Sequence, residues 1–216
     1  MAAALSAWWR GARHLNHRGY QYIWANVFWA VLSLPVITAP AAFAGLCRFS
    51  YVAARQPAPG LDEFWAGFRE NLKRGIIAGL LTIVIVTVNG TNLLAYRHSD
   101  AQGMAALRFV WGFALVLWFG LQFYAWPLMQ HMERPSLKGA YRNALVMMAL
   151  NPMFTLVCWF LIAIVIVLSL VFPVAWLLLT GSVLAVAATS AVADRVAAAG
   201  FSTGFSMLPE ALEKGG

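Results

Sequence analysis

Two prolines, Pro35 and Pro40, interrupt an otherwise apolar stretch over residues 26–40, NVFWAVLSLPVITAP, in which Asn26, Ser33 and Thr38 are the polar positions. A proline ring removes a helical N–H and clashes with the preceding turn, so no uninterrupted helix runs through this stretch. The sequence therefore predicts a broken helix. After the break, Thr38 is placed to cap a new helix start. Ala39 and Pro40 then fall in a first turn whose N–H groups have no intrahelical partner in any case. A helix end of this kind within a bilayer requires protein or a wet cavity around it.

The bilayer enters because only 11% of the 216 residues are charged while 62% are hydrophobic, against roughly a quarter charged in soluble domains. An integral membrane protein is predicted. The formal charge of +7 then reads as loops beside anionic lipid rather than as a nucleic-acid surface, and no nucleic-acid partner is expected. Cys47 and Cys158 lie in apolar runs without Cys-x-x-Cys spacing, so they are expected to pack rather than to bridge or ligate. His14 and His17 are spaced i, i+3 with no acidic or cysteine partner nearby, which favours a solvated basic face. No metal and no cofactor are expected. The first twenty residues lack the basic start, apolar core and small-residue cleavage site of a secretory signal, so none is expected to be removed.

Apolar runs fall at 20–52, 75–96, 105–130 and 144–193. The last is far longer than the ~20 residues of one crossing, and Pro152 and Pro173 divide it into 152–171 and 173–193. Charge decides whether the broken first run crosses. If it crosses once, Lys and Arg divide 10 against 5 between the two sides; if it enters and returns, they divide 13 against 2. The second division follows the positive-inside rule. The expected fold is all-α: a polytopic bundle of four full transmembrane helices (75–96, 105–130, 152–171, 173–193) plus a Pro-broken hairpin over 20–55. These make about six helical segments in one membrane domain covering 1–216. Both termini are expected on the cytoplasmic side of the inner membrane. The hairpin arms, 15 residues or about 22 Å each, fall short of a ~30 Å core.

Amphipathic helices are expected in the cytoplasmic interface. Over 61–74, Leu61, Phe64, Trp65, Phe68 and Leu72 recur at helical spacing with Asp62, Glu63, Arg69, Glu70 and Lys73 opposite. A second such helix follows Pro135, with Leu137, Ala140, Tyr141, Ala144, Leu145 and Met148 on one face. The two share an aromatic, Arg, Asn order (Phe68, Arg69, Asn71; Tyr141, Arg142, Asn143), and each precedes a pair of spans, which suggests an internal repeat.

No Asp, Glu, Lys or His lies within the spans away from their ends, which argues against a proton- or sodium-coupled carrier. The remaining polar groups include Asn26, Thr38, Asn89, Thr91, Asn92, Gln122, Tyr124 and Asn151. Individually they read as interhelical hydrogen bonds. Asn26, Thr38, Asn89, Asn92 and Gln122, with Arg48, form the candidate ligand-binding set if they line one cavity. For Arg48 the alternatives are a snorkelling or protein-facing charge and a basic ligand contact. His131 and Glu133, two apart at a span end, read as solvated. With no Ser-His pair, paired carboxylates or His-Glu-x-x-His, an enzyme is not expected.

The blocks Asn26, Trp29 and Ser33-Leu34-Pro35-Val36-Ile37-Thr38-Ala39-Pro40-Ala41 resemble the YesL family of bacterial membrane proteins, a family of unknown function. The 64–71 segment with basic residues after it, Trp126-Pro127-Leu128, Leu137-Lys138-x-Ala140, and Pro173 followed by Gly181-Ser182 extend the resemblance over most of the chain. The resemblance implies an association with bacterial carbohydrate uptake. It supplies no catalytic residue, and Arg48 stands where the family pattern is apolar or aromatic. The expected function is an accessory or binding component of oligosaccharide import. The alternative is a passive or facilitated transporter or channel for a small solute, with anions among the candidates. Membrane lipid is an expected partner, with a sugar-importer permease and homo-oligomerisation as further candidates.

Overall fold

The structure, a computed structural model, describes residues 5–6, 9, 19–56, 59–99 and 101–200. His14 and His17 lie outside the described residues. Among those described the regular structure is entirely helical. The elements are α1 (Gly19–Ser33), α2 (Ala39–Ala53), α3 (Asp62–Ala95), α4 (Met104–Met129), α5 (Leu137–Leu150), α6 (Pro152–Val171) and α7 (Pro173–Ala175), then a π-helix (Trp176–Thr180) and α8 (Gly181–Ala198).

Four helices are long and apolar enough to cross a membrane: Asp62–Ala95, Met104–Met129, Pro152–Val171 and the continuous Trp176–Ala198. The chain is a polytopic helical membrane protein. The last of the four is the inner helix, with 67% of its most apolar 18-residue stretch buried inside the fold, against 11%, 6% and 22% for the other three in order. Its small residues Ala185, Ala188 and Ala191 are fully buried and allow α1, α2 and α4 to approach closely.

The prolines act as their chemistry dictates. α1 stops at Ser33, the chain turns through residues 34–38, and α2 restarts with Pro40 in its first turn. The turn places Val36 at φ 59°, the left-handed region that a β-branched side chain resists. It also brings the N–H of Ile37 2.5 Å from the carbonyl of Pro35.

One boundary differs from the sequence expectation. The amphipathic 61–74 segment is not a separate interfacial helix but the first part of α3, which runs unbroken for 34 residues, about 51 Å. No proline interrupts it. The second amphipathic segment is separate, because Asn151 and Pro152 stand between α5 and α6. The N-cap of α5 is Ser136, whose Oγ accepts from the N–H of Gly139 at 3.2 Å. Its buried face is Ala140, Ala144 and Met148, while Leu145 stays exposed.

α2 lies antiparallel along the first half of α3, and glycines set the separation. A Cβ on Gly67 would sit 2.8 Å from Arg48 Cβ, one on Gly75 2.4 Å from Ala41 Cβ, and one on Gly79 2.2 Å from the carbonyl oxygen of Ile37. The hairpin turn is therefore level with Gly79. That is four residues, about 6 Å, into the uncharged stretch that begins at Gly75, and the sixteen residues to Ala95, about 24 Å more, extend beyond it. The hairpin is a short wedge beside one end of the spans.

Candidate functional site

Asn26 is fully buried on α1, opposite the π-helix. Its Nδ2 donates to the carbonyls of Trp176 at 3.0 Å and Leu177 at 2.7 Å, and its Oδ1 accepts from the backbone N–H of Ser182 at 2.7 Å. The amide is thus inserted between the C=O of residue 177 and the N–H of residue 182. A wide π-turn displaces backbone groups from the normal ladder, and in lipid a neighbouring side chain must take them up. Gly181 makes room, since a Cβ there would meet the Trp29 ring at 2.5 Å and Asn26 Oδ1 at 2.9 Å. Ser182 Oγ donates to the carbonyl of Tyr22 at 2.8 Å and completes the seam.

The other five candidates are scattered. Thr38 occupies the N-cap position of α2 but does not cap it; its hydroxyl instead reaches back to the carbonyl of Leu32 across the turn. Arg48 pairs with two carboxylates of α3, Nε with Glu63 at 2.9 Å and Nη1 with Glu70 at 2.5 Å. These partners stand seven residues apart, two helical turns on one face, so Arg48 straps the hairpin to the charged end of α3. Asn89 Nδ2 donates to the carbonyl of Ile85 in its own helix at 2.8 Å. Asn92 sits near the far end of α3, half-buried.

Gln122 belongs to a network joining three helices. Its Oε1 accepts from Trp126 Nε1 at 2.9 Å and from the Tyr141 hydroxyl at 3.2 Å, and its Nε2 donates to Thr82 Oγ1 at 3.2 Å. Thr82 also accepts from Trp118 Nε1 at 3.0 Å and donates to the carbonyl of Ala78 at 2.7 Å. Thr82 carries no signal in the sequence beyond its place in an apolar run. The glycines at 67, 75 and 79 do, because spacings of eight and four put them on one helical face.

Two cavities open on the membrane-facing side. The first, about 500 Å³, lies between α4 and α6, lined by Leu115, Phe119, Trp159, Ile162 and Ala163, with Phe43 and Leu184 behind. The second, about 450 Å³, lies between Trp29, Trp176 and Pro173 and meets the first at Ile166 and Leu184. Of the six candidate residues, Gln122 is the one that lines either of them. Ser169 and Thr180, beside the second cavity, are hydrogen-bonded to each other at 2.6 Å. Apart from Gln122, Ser169 and Thr180, the residues named in the two linings are apolar or aromatic.

Past the end of α4, His131 packs edge-on against Tyr51 with ring centres 5.2 Å apart, and the Arg55 guanidinium lies over the Tyr51 ring, 3.5 Å from its centre. His131 is half-buried rather than solvated. Burial, and then the Arg55 charge, push its pKa down to about 4. Among the described residues no group of three or more His, Cys, Asp or Glu is placed to hold a metal.

No curated protein and no solved structure matches the chain. Residues 22–93, which hold the Asn26 amide, the hairpin and nearly all of α3, match the family model described as "Protein of unknown function, DUF624", and over this third of its length the chain is similar to that family.

Proposed function

We propose that the protein is an accessory component of the inner membrane that acts by contact with another membrane protein, in oligosaccharide import, rather than by moving a solute itself. The YesL resemblance of residues 26–41 and the later blocks supplies the transport context, and the match over 22–93 is compatible with it. The observation that carries the proposal is the engagement of the polar groups a conduit would need. The amide of Asn26, the hydroxyl of Thr38, the guanidinium of Arg48 and the amide of Gln122 are each bonded within the fold, at separate places.

The surface for contact is the charged end of the bundle, where the first part of α3 and the whole of α5 carry Arg69, Lys73, Lys138 and Arg142. With both termini cytoplasmic, this end faces the cytoplasm, where the loops of an importer permease are accessible. The test is affinity purification of the tagged chain from native membranes, with oligosaccharide uptake measured in a deletion strain. Recovery of a sugar-importer permease together with reduced uptake supports the proposal. Oligosaccharide flux into liposomes holding this protein alone overturns it and restores the facilitated-transporter alternative.

A further inference from the structure

We propose that the outer face of α5 is a binding surface for an anionic phospholipid, with Lys138 and Arg142 holding the phosphate and the apolar residues beyond them meeting its hydrocarbon. α5 has two faces. Ala140, Ala144 and Met148 form the buried one, and from beside it the Tyr141 hydroxyl reaches Gln122 of α4, seven residues inside the end of that span. The helix therefore lies against the spans. At about 100° per residue, Lys138, Arg142, Leu145 and Val146 fall within one sector of about 100° on its outer side. Both cations are exposed, and Leu145 and Val146 are each 49% exposed.

Charge selects an anion. Among the described residues the ion pairs are those of Arg48 with Glu63 and Glu70 and of Arg195 with Asp194, so neither Lys138 nor Arg142 has a carboxylate partner. Residues 134–193, which hold all of α5 and α6, contain no Asp or Glu. The two cations stand four apart, one above the other on the helix surface, close enough to share one phosphate.

The apolar neighbours select a lipid rather than a free anion. Asn151 alone separates α5 from α6, and on the first turns of α6 Met153 and Leu156 are 62% and 56% exposed. The apolar end of the α5 face is thus continuous with the outward side of a helix long and apolar enough to cross the membrane. A soluble phosphate would satisfy the cations and leave Leu145 and Val146 uncovered. A phospholipid joins the anion to hydrocarbon and serves both, as at other basic interfacial helices. This inference is independent of the accessory role: lipid on α5 leaves Arg69 and Lys73 of α3 to a protein partner, so the two readings fail separately.

The experiment uses the full chain in phosphatidylcholine vesicles doped with a minor fraction of either phosphatidylglycerol or phosphatidylcholine, each bearing the same diazirine in one acyl chain. Adducts within residues 137–153 are counted by mass spectrometry after illumination. The phosphatidylglycerol probe should label this segment at least about fivefold more than the phosphatidylcholine probe. Salt at about 1 M should remove most of that preference without any substitution. Lys138→Gln combined with Arg142→Gln should bring the two probes to near-equal labelling, while Arg69→Gln combined with Lys73→Gln, which removes the same charge from α3, should leave the preference in place. Equal labelling by the two probes in the wild type overturns the proposal. So does a preference that survives high salt or the α5 substitutions, or one that the α3 substitutions abolish equally.

Discussion

The backbone N–H of Ser182 donates to Oδ1 of Asn26 at 2.7 Å, across 156 residues of sequence. The same amide gives both its N–H groups to the carbonyls of Trp176 and Leu177. One side chain thus serves three backbone groups that the π-turn has displaced. Asn26→Ala removes all three bonds at a fully buried site, and each backbone group left without another partner costs about 1–3 kcal/mol before relaxation. The thermal midpoint in detergent should drop sharply. Asn26→Asp should be no better, because a carboxylate has no donor for the two carbonyls. An unchanged melting curve for Asn26→Ala would contradict the structural role and return Asn26 to the ligand candidates.

Gly79 and Gly90 stand in one helix with opposite surroundings. A methyl group on Gly79 would lie 2.2 Å from the Ile37 carbonyl, while one on Gly90 meets nothing within 4 Å. Gly79→Ala should destabilise by roughly 1–3 kcal/mol through overpacking of the hairpin turn. Gly90→Ala should be neutral or stabilising by up to about 1 kcal/mol, since alanine is the better helix former. Parallel melts decide it. Equal effects of the two substitutions would mean that the turn does not rest on Gly79.

Much of the fold is legible in composition and proline placement. Pro35, Pro40, Pro152 and Pro173 each fall at a helix start or break, because a missing N–H and a ring clash act locally, whereas Pro127 is carried inside α4, two residues before its end at Met129. What stays hidden depends on partners distant in sequence. Asn26 and Gly181-Ser182 are both noticeable as residues, but that one clamps the other follows only from the packing of α1 on the last span. The fusion of 61–74 with the following span is hidden because its amphipathic pattern fits equally well a helix lying in the interface and one projecting from it. Arg48 is the opposite case, odd in sequence and ordinary in structure, since Glu63 and Glu70 lie on the facing helix.

Val36 holds φ 59° in the turn between α1 and α2. A β-branched residue in the left-handed region costs about 1–2 kcal/mol relative to glycine's freedom there. Val36 is also 54% exposed, so its side chain gives up little packing when removed. Val36→Gly should therefore raise stability by about 1 kcal/mol, less the extra backbone entropy of glycine in the unfolded chain. A clear fall in the melting temperature would show that Val36 is held by contacts the strain argument omits.

Arg48 can be tested by charge reversal. Its side chain is 26% exposed and its partners Glu63 and Glu70 are 24% and 59% exposed, so water screens the pairs. Arg48→Ala should cost only about 1 kcal/mol. Arg48→Glu should cost more by setting three carboxylates together, and adding Glu63→Arg should recover part of the loss. Measuring the four proteins as a double-mutant cycle isolates the coupling. Independence of the two substitutions would remove the strap between hairpin and α3.

The environment of His131 makes stability fall on acidification. Its folded pKa, about 4, lies below the ~6.5 of an unfolded histidine, because burial and the nearby Arg55 both oppose the charged ring. Between those values the unfolded chain binds a proton that the folded chain refuses, so stability declines as pH drops from about 6.5 towards 4. Partial exposure limits the effect to roughly 1–2 kcal/mol by pH 5. The wild type should lose melting temperature between pH 7.5 and 5, and His131→Gln should lose less over the same range. The comparison between the two proteins matters because carboxylates elsewhere begin to titrate at the acid end. Matching slopes would show that His131 is protonated in the fold as readily as in the open chain, and the stacking on Tyr51 would then have to tolerate a cation beside Arg55.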